Sequence, residues 1–360
     1  MNKLNQLLWA AALSATTLYA QAQAPKTAKQ LSPRWSIEKA AAWQSKQGWV
    51  SGANFIPSTA INQLEMWQAS TFDPQTIDRE LGWAEGIGFN AMRVFLHSLA
   101  YKQDPAGFKK RVDQYLRIAT KHHIKTIFVF FDDCWNPDPK IGKQPEPKTG
   151  VHNSGWAQDP GRMITDPKDL ATLSVYVKDV MTTFGHDERI LLWDLYNEPG
   201  NSKKGNASMG LLTKIFEWAR GTVHDQPVSA GLWKWELNEL NTFQALNSDV
   251  ITYHEYEEPE KHLRIIQMLR THGRPMVCTE YMARRNNSLF SNVLPMLKKE
   301  NVGAINWGLV AGKTNTIYAW DTPIADGSEP KLWFHDIFRK DGTMYKQDEV
   351  EAIKKATDRK

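Results

Sequence analysis

Apolar runs of five to seven residues alternate with longer amphipathic stretches along most of this chain. The short runs are 50–55, 91–96, 126–131, 190–196, 228–232, 250–256, 275–280 and 304–310. Each has the length and composition of a buried strand. Between and after them lie stretches with helical spacing: 74–86, 105–122, 168–184, 209–223, 236–246, 259–272, 287–300 and a last one including 332–338. A further helix is predicted over 36–47, with Ser36 as N-cap, Glu38 in the first turn and Gly48 as the stop. Eight strand–helix alternations predict an α/β fold, a single (β/α)8 barrel with an N-terminal helix and long βα loops. An open doubly wound sheet is the competing architecture. It usually carries a glycine-rich first turn, which Gly52-Ala53-Asn54-Phe55 lacks.

The ends of the chain add an address and a tail. Lys3, the apolar stretch 7–19 and Ala22-Gln23-Ala24 have the order of a secretory signal with a small-residue cleavage site. We therefore expect residues 1–24 to be a signal peptide, 25–35 a flexible leader and 36–360 the barrel domain. No Cys follows the cleavage site, so no lipoprotein anchor is expected, and the expected location is secreted or periplasmic. No later segment is long and apolar enough to span a membrane. The Lys- and Glu-rich segment 347–360 reads as a solvated amphipathic helix.

Composition narrows the chemistry. Hydrophobic residues are 41% and charged ones 23%, as in ordinary globular proteins. A net charge of +4 with no arginine-rich run gives no footprint for nucleic acid. The two cysteines, Cys134 and Cys278, fall on strands nearly opposite in the ring and read as buried free thiols. His122 and His123 are adjacent, so on a helix they diverge. With no His-Glu-x-x-His motif or Cys cluster, neither metal nor cofactor is expected. A Gly-x-Ser-x-Gly elbow is also missing. Fifteen tryptophans are many. Core filling accounts for most, but flat aromatic faces also suit stacking against sugars.

Two strands end in a carboxylate. The run 190–196 continues into Asn197-Glu198-Pro199-Gly200, and 275–279 into Glu280-Tyr281. Barrel enzymes place their chemistry at such strand ends. Two carboxyl groups facing each other can cleave a glycosidic bond, one donating a proton and the other stabilising the cationic sugar. The longest loop, 132–166, carries Trp135 and Trp156 and should form a lip over the site. The loop 57–72, with Asn62, Glu65 and Trp67, could line its other side.

Asn197-Glu198-Pro199 on the fourth strand and Glu280 ending the seventh resemble the clan of retaining (β/α)8 glycoside hydrolases that includes families five and two. The resemblance runs from about Trp49 to the C-terminal helix. It implies Glu198 as general acid/base, Glu280 as nucleophile and Asn197 as holder of the sugar 2-hydroxyl. Arg93, in Phe89-Asn90-Ala91-Met92-Arg93, would keep Glu280 ionised. In His254-Glu255-Tyr256, Tyr256 would bond the nucleophile and His254 would contact sugar or acid/base. Trp307 matches the aromatic floor and Asn54 the first-strand Gly-x-Asn. Family five usually has a His ending strand three, where this chain reads Asp132-Asp133-Cys134-Trp135. Asp132 or Asp133 is therefore expected to bond sugar hydroxyls instead. His97, Trp135, Trp156, Trp67 and Trp233 are further candidates to line the site. The implied activity is cofactor-free retaining hydrolysis of β-linked glucans, mannans, xylans or their oligosaccharides. A transglycosylase on the same site and a non-catalytic carbohydrate-binding barrel are the alternatives. Oligomeric state is not readable from the sequence.

Overall fold

The computed structural model describes residues 30–358 apart from 32 and 164–166, so the expected signal segment 1–24 lies outside the described residues. Eight strands form one parallel sheet: β1 Ser51–Asn54, β2 Ala91–Phe95, β3 Lys125–Asp132, β4 Ile190–Asn197, β5 Val228–Ser229, β6 Ile251–His254, β7 Met276–Glu280 and β8 Gly303–Asn306. Their order is β5-β4-β3-β2-β1-β8-β7-β6, with helices between them, which is a (β/α)8 barrel. The outermost strands of that row, β5 and β6, share no ladder; they join through an isolated bridge between Leu232 and Tyr253, the Ser229–Thr252 hydroxyl pair at 2.7 Å and Asp249 N–H donating to Val228 O at 2.9 Å. There Leu232 N–H donates to Thr252 O at 3.0 Å, and His254 N–H donates to Leu232 O at 2.8 Å. The ring thus closes at a thin seam rather than a full ladder.

Helix starts follow local side-chain chemistry. Ser36 Oγ accepts from Lys39 N–H at 3.1 Å at the head of the helix Ile37–Gln47. Asp73 and Asp104 cap Pro74–Gly86 and Pro105–Lys121 in the same way, each followed by a proline in the first turn.

The barrel interior is layered because alternate strand residues point inward. On β2 these are Ala91, Arg93 and Phe95. Ala91 joins a lower apolar layer with Val50, Ile127, Leu192, Val277 and Ile305, closed from below by Trp43 of the N-terminal helix. Phe95 joins an upper layer with Val129, Cys134, Trp156 and Trp307. Arg93 lies between them, fully buried. The interior is therefore apolar at its base, charged at its waist and aromatic at its mouth.

Some expected elements differ. Residues 332–338 are not a helix. Ile337 and Phe338 N–H both donate to Leu309 O, Phe334 N–H donates to Ile317 O, and Trp333, Phe334, Ile337 and Phe338 are buried. Backbone pinned to a neighbouring segment has taken the hydrogen bonds a helix would have used. The last helix is Gln347–Ala356. It is not wholly solvated, since Val350, Ile353 and Ala356 are buried and Glu349 pairs with buried Arg284 at 2.6 Å. The helix expected from 287 starts at Val293, after Asn287 takes a left-handed φ of 58°. β8 stops at Asn306, with Gly308 at φ 80°. The described part of the expected leader is tied down rather than free. Leu31 N–H donates to Asn247 Oδ1 at 2.8 Å and Trp35 N–H to Asp249 Oδ1 at 2.7 Å.

Candidate active site

The C-terminal ends of the strands surround a cavity of about 960 Å³, large enough for an oligosaccharide. Glu198 and Glu280 both line it. Glu198 follows β4 with φ 45°, a left-handed turn that lifts its side chain off the strand line. Glu280 is the last residue of β7. An oxygen of each and a ring nitrogen of His254 lie within 4.8 Å of one another.

The two carboxyls have different surroundings. Glu280 Oε1 accepts from Arg93 Nη1 at 2.9 Å, and its Oε2 accepts from Tyr256 OH at 2.7 Å. Among the described residues, Glu198 has no Lys or Arg in contact. Its Oε1 lies 2.9 Å from His254 Nδ1, and its Oε2 meets Cys134 Sγ at 3.2 Å and the Asn201 amide. Burial pushes both carboxyls above the ordinary carboxylate range. On Glu280 the contacts with Arg93 and Tyr256 oppose that push and favour the charged form. Of the two acids, Glu280 is the one in direct contact with a guanidinium, which favours its charged form. Burial lowers the His254 pKa to about 4, so its imidazole is neutral near pH 7 and its contact with Glu198 is a hydrogen bond rather than an ion pair.

Arg93 is held on every side. It donates to Asp194 at 2.9 Å, Asn54 Oδ1 at 2.9 Å and Asn197 Oδ1 at 2.7 Å as well as to Glu280. Asn54 is itself fixed by donating to Thr279 O at 2.8 Å and Asn306 O at 3.2 Å. Neither Arg93 nor Asn54 lines the cavity; Arg93 touches Glu280 directly and Asn54 touches Arg93. Asn197 does line it, with its amide donating to Asp132 Oδ1 at 2.9 Å. Trp307 forms the floor, edge-on to Phe95 and Trp156 at 6.0 and 5.6 Å. Trp135, Trp156 and Trp233 stand in the walls.

Six expected contacts fail. Asp132 points inward, accepting from Trp156 Nε1 at 2.6 Å and Cys134 N–H at 2.9 Å besides Asn197. Asp133 accepts from Tyr196 OH at 2.8 Å, Gly200 N–H at 2.9 Å and Ser208 Oγ at 2.5 Å. Both carboxylates are consumed in bracing the loops and face no sugar. His97 is fully buried and caps the helix Ser98–Gln103, its Nδ1 accepting from Leu99 N–H at 3.2 Å. Trp67 is fully buried in the outer core, donating to Phe95 O at 2.7 Å. Asn62 and Glu65 lie on the same loop and also stay outside the cavity lining.

Sequence reasoning missed Trp320, Trp235, Asn201 and the place of Cys134 beside Glu198. Trp320 packs edge-on against Tyr256 at 4.9 Å. It sits in the long irregular segment after β8, where no periodicity marks it. Cys134 carried a signal, since it stands two residues past β3, where barrel chemistry gathers. Both cysteines are free, as expected.

Glu198, His254 and Glu280 are also the one cluster with metal-ligand spacing among the described residues. Both oxygens of Glu280 are already engaged, Oε1 by the Arg93 guanidinium and Oε2 by the Tyr256 hydroxyl.

No family profile and no curated protein matches this chain. Solved structures do. A variant of the GH5_18 protein of Streptomyces cattleya, in complex with Manβ1-4GlcNAc, is 12% identical over 87% of this chain and 81% of its own, with a TM-score of 0.61. The endo-β-1,4-mannanase of Thermotoga petrophila is 15% identical over 88% and 77%, with a TM-score of 0.54. XEG5A, a GH5 xyloglucan-specific endo-β-1,4-glucanase from a metagenomic library, is 16% identical over 89% and 99%, with a TM-score of 0.57. These neighbours are glycoside hydrolases, and what this chain shares with them at such identity is the barrel.

Proposed function

We propose that this chain is a retaining glycoside hydrolase acting on β-linked oligo- or polysaccharides. The observation that carries the reading is the pairing of Glu198 and Glu280 across one cavity, with oxygens inside 4.8 Å and only one of them supplied with a cation. Retaining enzymes hold their carboxyls about 5–5.5 Å apart and inverting ones roughly 6.5–9.5 Å, because inversion needs room for a water. The glycosidase neighbours and the β-1,4 bonds in their names support the same class.

The chemistry follows from the surroundings of each carboxyl. Glu198, kept protonated by burial, gives its proton to the glycosidic oxygen as the bond to the anomeric carbon breaks. Glu280, kept charged by Arg93 and Tyr256, forms a bond to that carbon. Water then attacks the glycosyl-enzyme, Glu198 takes the water's proton, and the Glu280 carboxylate leaves. Asn197, fixed by Arg93 and Asp132, presents its amide at the cavity wall beside the reacting sugar. Export through segment 1–24 places the enzyme outside the cytoplasm, where such glycans are met.

A 2-deoxy-2-fluoro aryl β-glycoside tests the reading, because the fluorine slows both steps while a good leaving group restores the first, so that the glycosyl-enzyme accumulates. Mass spectrometry should find the fluorosugar on the peptide bearing Glu280, and Glu280→Gln should abolish turnover. Full turnover by Glu280→Gln would remove the assignment.

A further inference from the structure

We infer that the substrate cleft is closed at its glycone end, so that the enzyme takes sugars from the non-reducing ends of chains rather than cutting within them. This inference rests on the glycosidase reading above. It comes from which loops line the cavity. The loops after β3, β4, β5, β6, β7 and β8 all contribute residues, and those after β1 and β2 contribute none.

The reason is a wall built over them. The loop after β3 and the segment after β8 both lie on the β1 loop. Asn62 Nδ2 donates to Gly155 O at 2.8 Å, and Lys313 N–H donates to Ser58 O at 3.1 Å. Gly312 packs so closely on Ser58 that an added Cβ would sit 2.6 Å from its Cα. Above the β1 loop the two segments join. Asn153 N–H donates to Thr314 O at 2.8 Å, and Ile324 N–H donates to Gly150 O at 3.0 Å. His152 Nδ1 lies 2.8 Å from Tyr318 O, and Asn315 Nδ2 donates to Lys148 O at 2.9 Å. Two backbone bonds and two side-chain bonds, spread over both segments, make a fixed wall rather than a swinging lid.

The chemistry orients the substrate against this wall. Glu198 protonates the leaving oxygen, so the leaving group lies on its side, by Trp233, whose Nε1 donates to Pro199 O at 3.0 Å. That side is open, and its lip residues Lys234, Glu236 and Glu257 are exposed. The retained sugar lies over Trp307, between Trp156 and the Tyr256–Trp320 pair, with the wall beyond it. A chain continuing past that sugar would have to pass through the joined loops.

The test uses the full-length protein on cellotetraose and mannotetraose, each with a free non-reducing end and with that end capped by a benzylidene group, beside 4-nitrophenyl β-glucoside and β-mannoside. The free tetraose should be shortened stepwise from its non-reducing end, and the matching aryl glycoside should be hydrolysed. The cap, which must clash with the wall, should slow cleavage at least about 100-fold. Capped and free tetraoses cleaved at comparable rates, with internal products, would overturn the closed end and leave the glycosidase reading standing. No turnover of any tetraose or aryl glycoside would overturn both.

Discussion

The sulfur of Cys134 lies 3.2 Å from Oε2 of Glu198 and is within 3.4 Å of the amides of Asn197 and Asn201. Burial keeps the thiol protonated, since it pushes the Cys134 pKa well up. A protonated thiol is a weak donor. It positions Glu198, the proposed acid/base, without strongly favouring its charged form.

Cys134→Ser replaces that weak donor with a strong one. The alkaline limb of kcat/KM, which reports loss of the Glu198 proton, should move down by roughly 0.5–1 pH unit. Cys134→Ala should move it up. A residue acting only through packing would leave the limb in place, so the pH profile of the two variants decides the matter.

Arg93→Lys keeps a positive charge but loses the fork that serves Asp194, Asn54, Asn197 and Glu280 together. Glu280 then loses part of what opposes its burial, and its pKa rises further. The acid limb of kcat/KM should shift up, with kcat/KM falling about 10²–10³-fold. Rates with aryl glycosides across pH check this.

Asp159 is fully buried and accepts from Ser98 N–H at 2.7 Å. Burial raises its pKa from 3.8 to about 7. A raised carboxyl stabilises the fold fully below its unfolded pKa, and the contribution is lost as pH rises through the folded one. Asp159→Asn carries no such dependence. Between pH 5 and 8 the wild type should lose on the order of 2 kcal/mol relative to the variant in urea unfolding.

Gly52 pairs with Ala91 where β1 and β2 approach closely. A Cβ there would come 1.7 Å from the Ala91 carbonyl oxygen, which is backbone and cannot turn aside. Gly52→Ala should destabilise the barrel by at least about 3 kcal/mol, read as a fall in the urea midpoint.

Much of this was legible in the sequence. Strands buried on both faces are continuous apolar runs, so all eight could be placed to within a few residues. Glu198 and Glu280 stood out because each ends such a run. Arg93 is a charge in the middle of one, which demands partners, and the sequence could name only Glu280. Asp194, the other partner, is hidden in the same way inside the run 190–196. Asp132 and Asp133 misled because a strand-ending carboxylate looks the same whether it meets a ligand or accepts from loop N–H groups. His97 failed for the same reason. The wall made by 148–153 and 314–324 had no signal at all. Two backbone bonds and the His152 and Asn315 side chains join it across more than 160 residues of sequence, and such a juxtaposition leaves no period to read.

The seam between β5 and β6 lies directly beneath the side of the cleft where Trp233 and Glu257 stand. Three backbone bonds and one hydroxyl pair resist shear less than the ladder joining β3 and β4. Amide exchange should therefore be fastest around Leu232 and Tyr253 among the barrel strands. On the proposed reaction, opening of this seam would widen the cleft on the leaving-group side, away from the joined loops over β1.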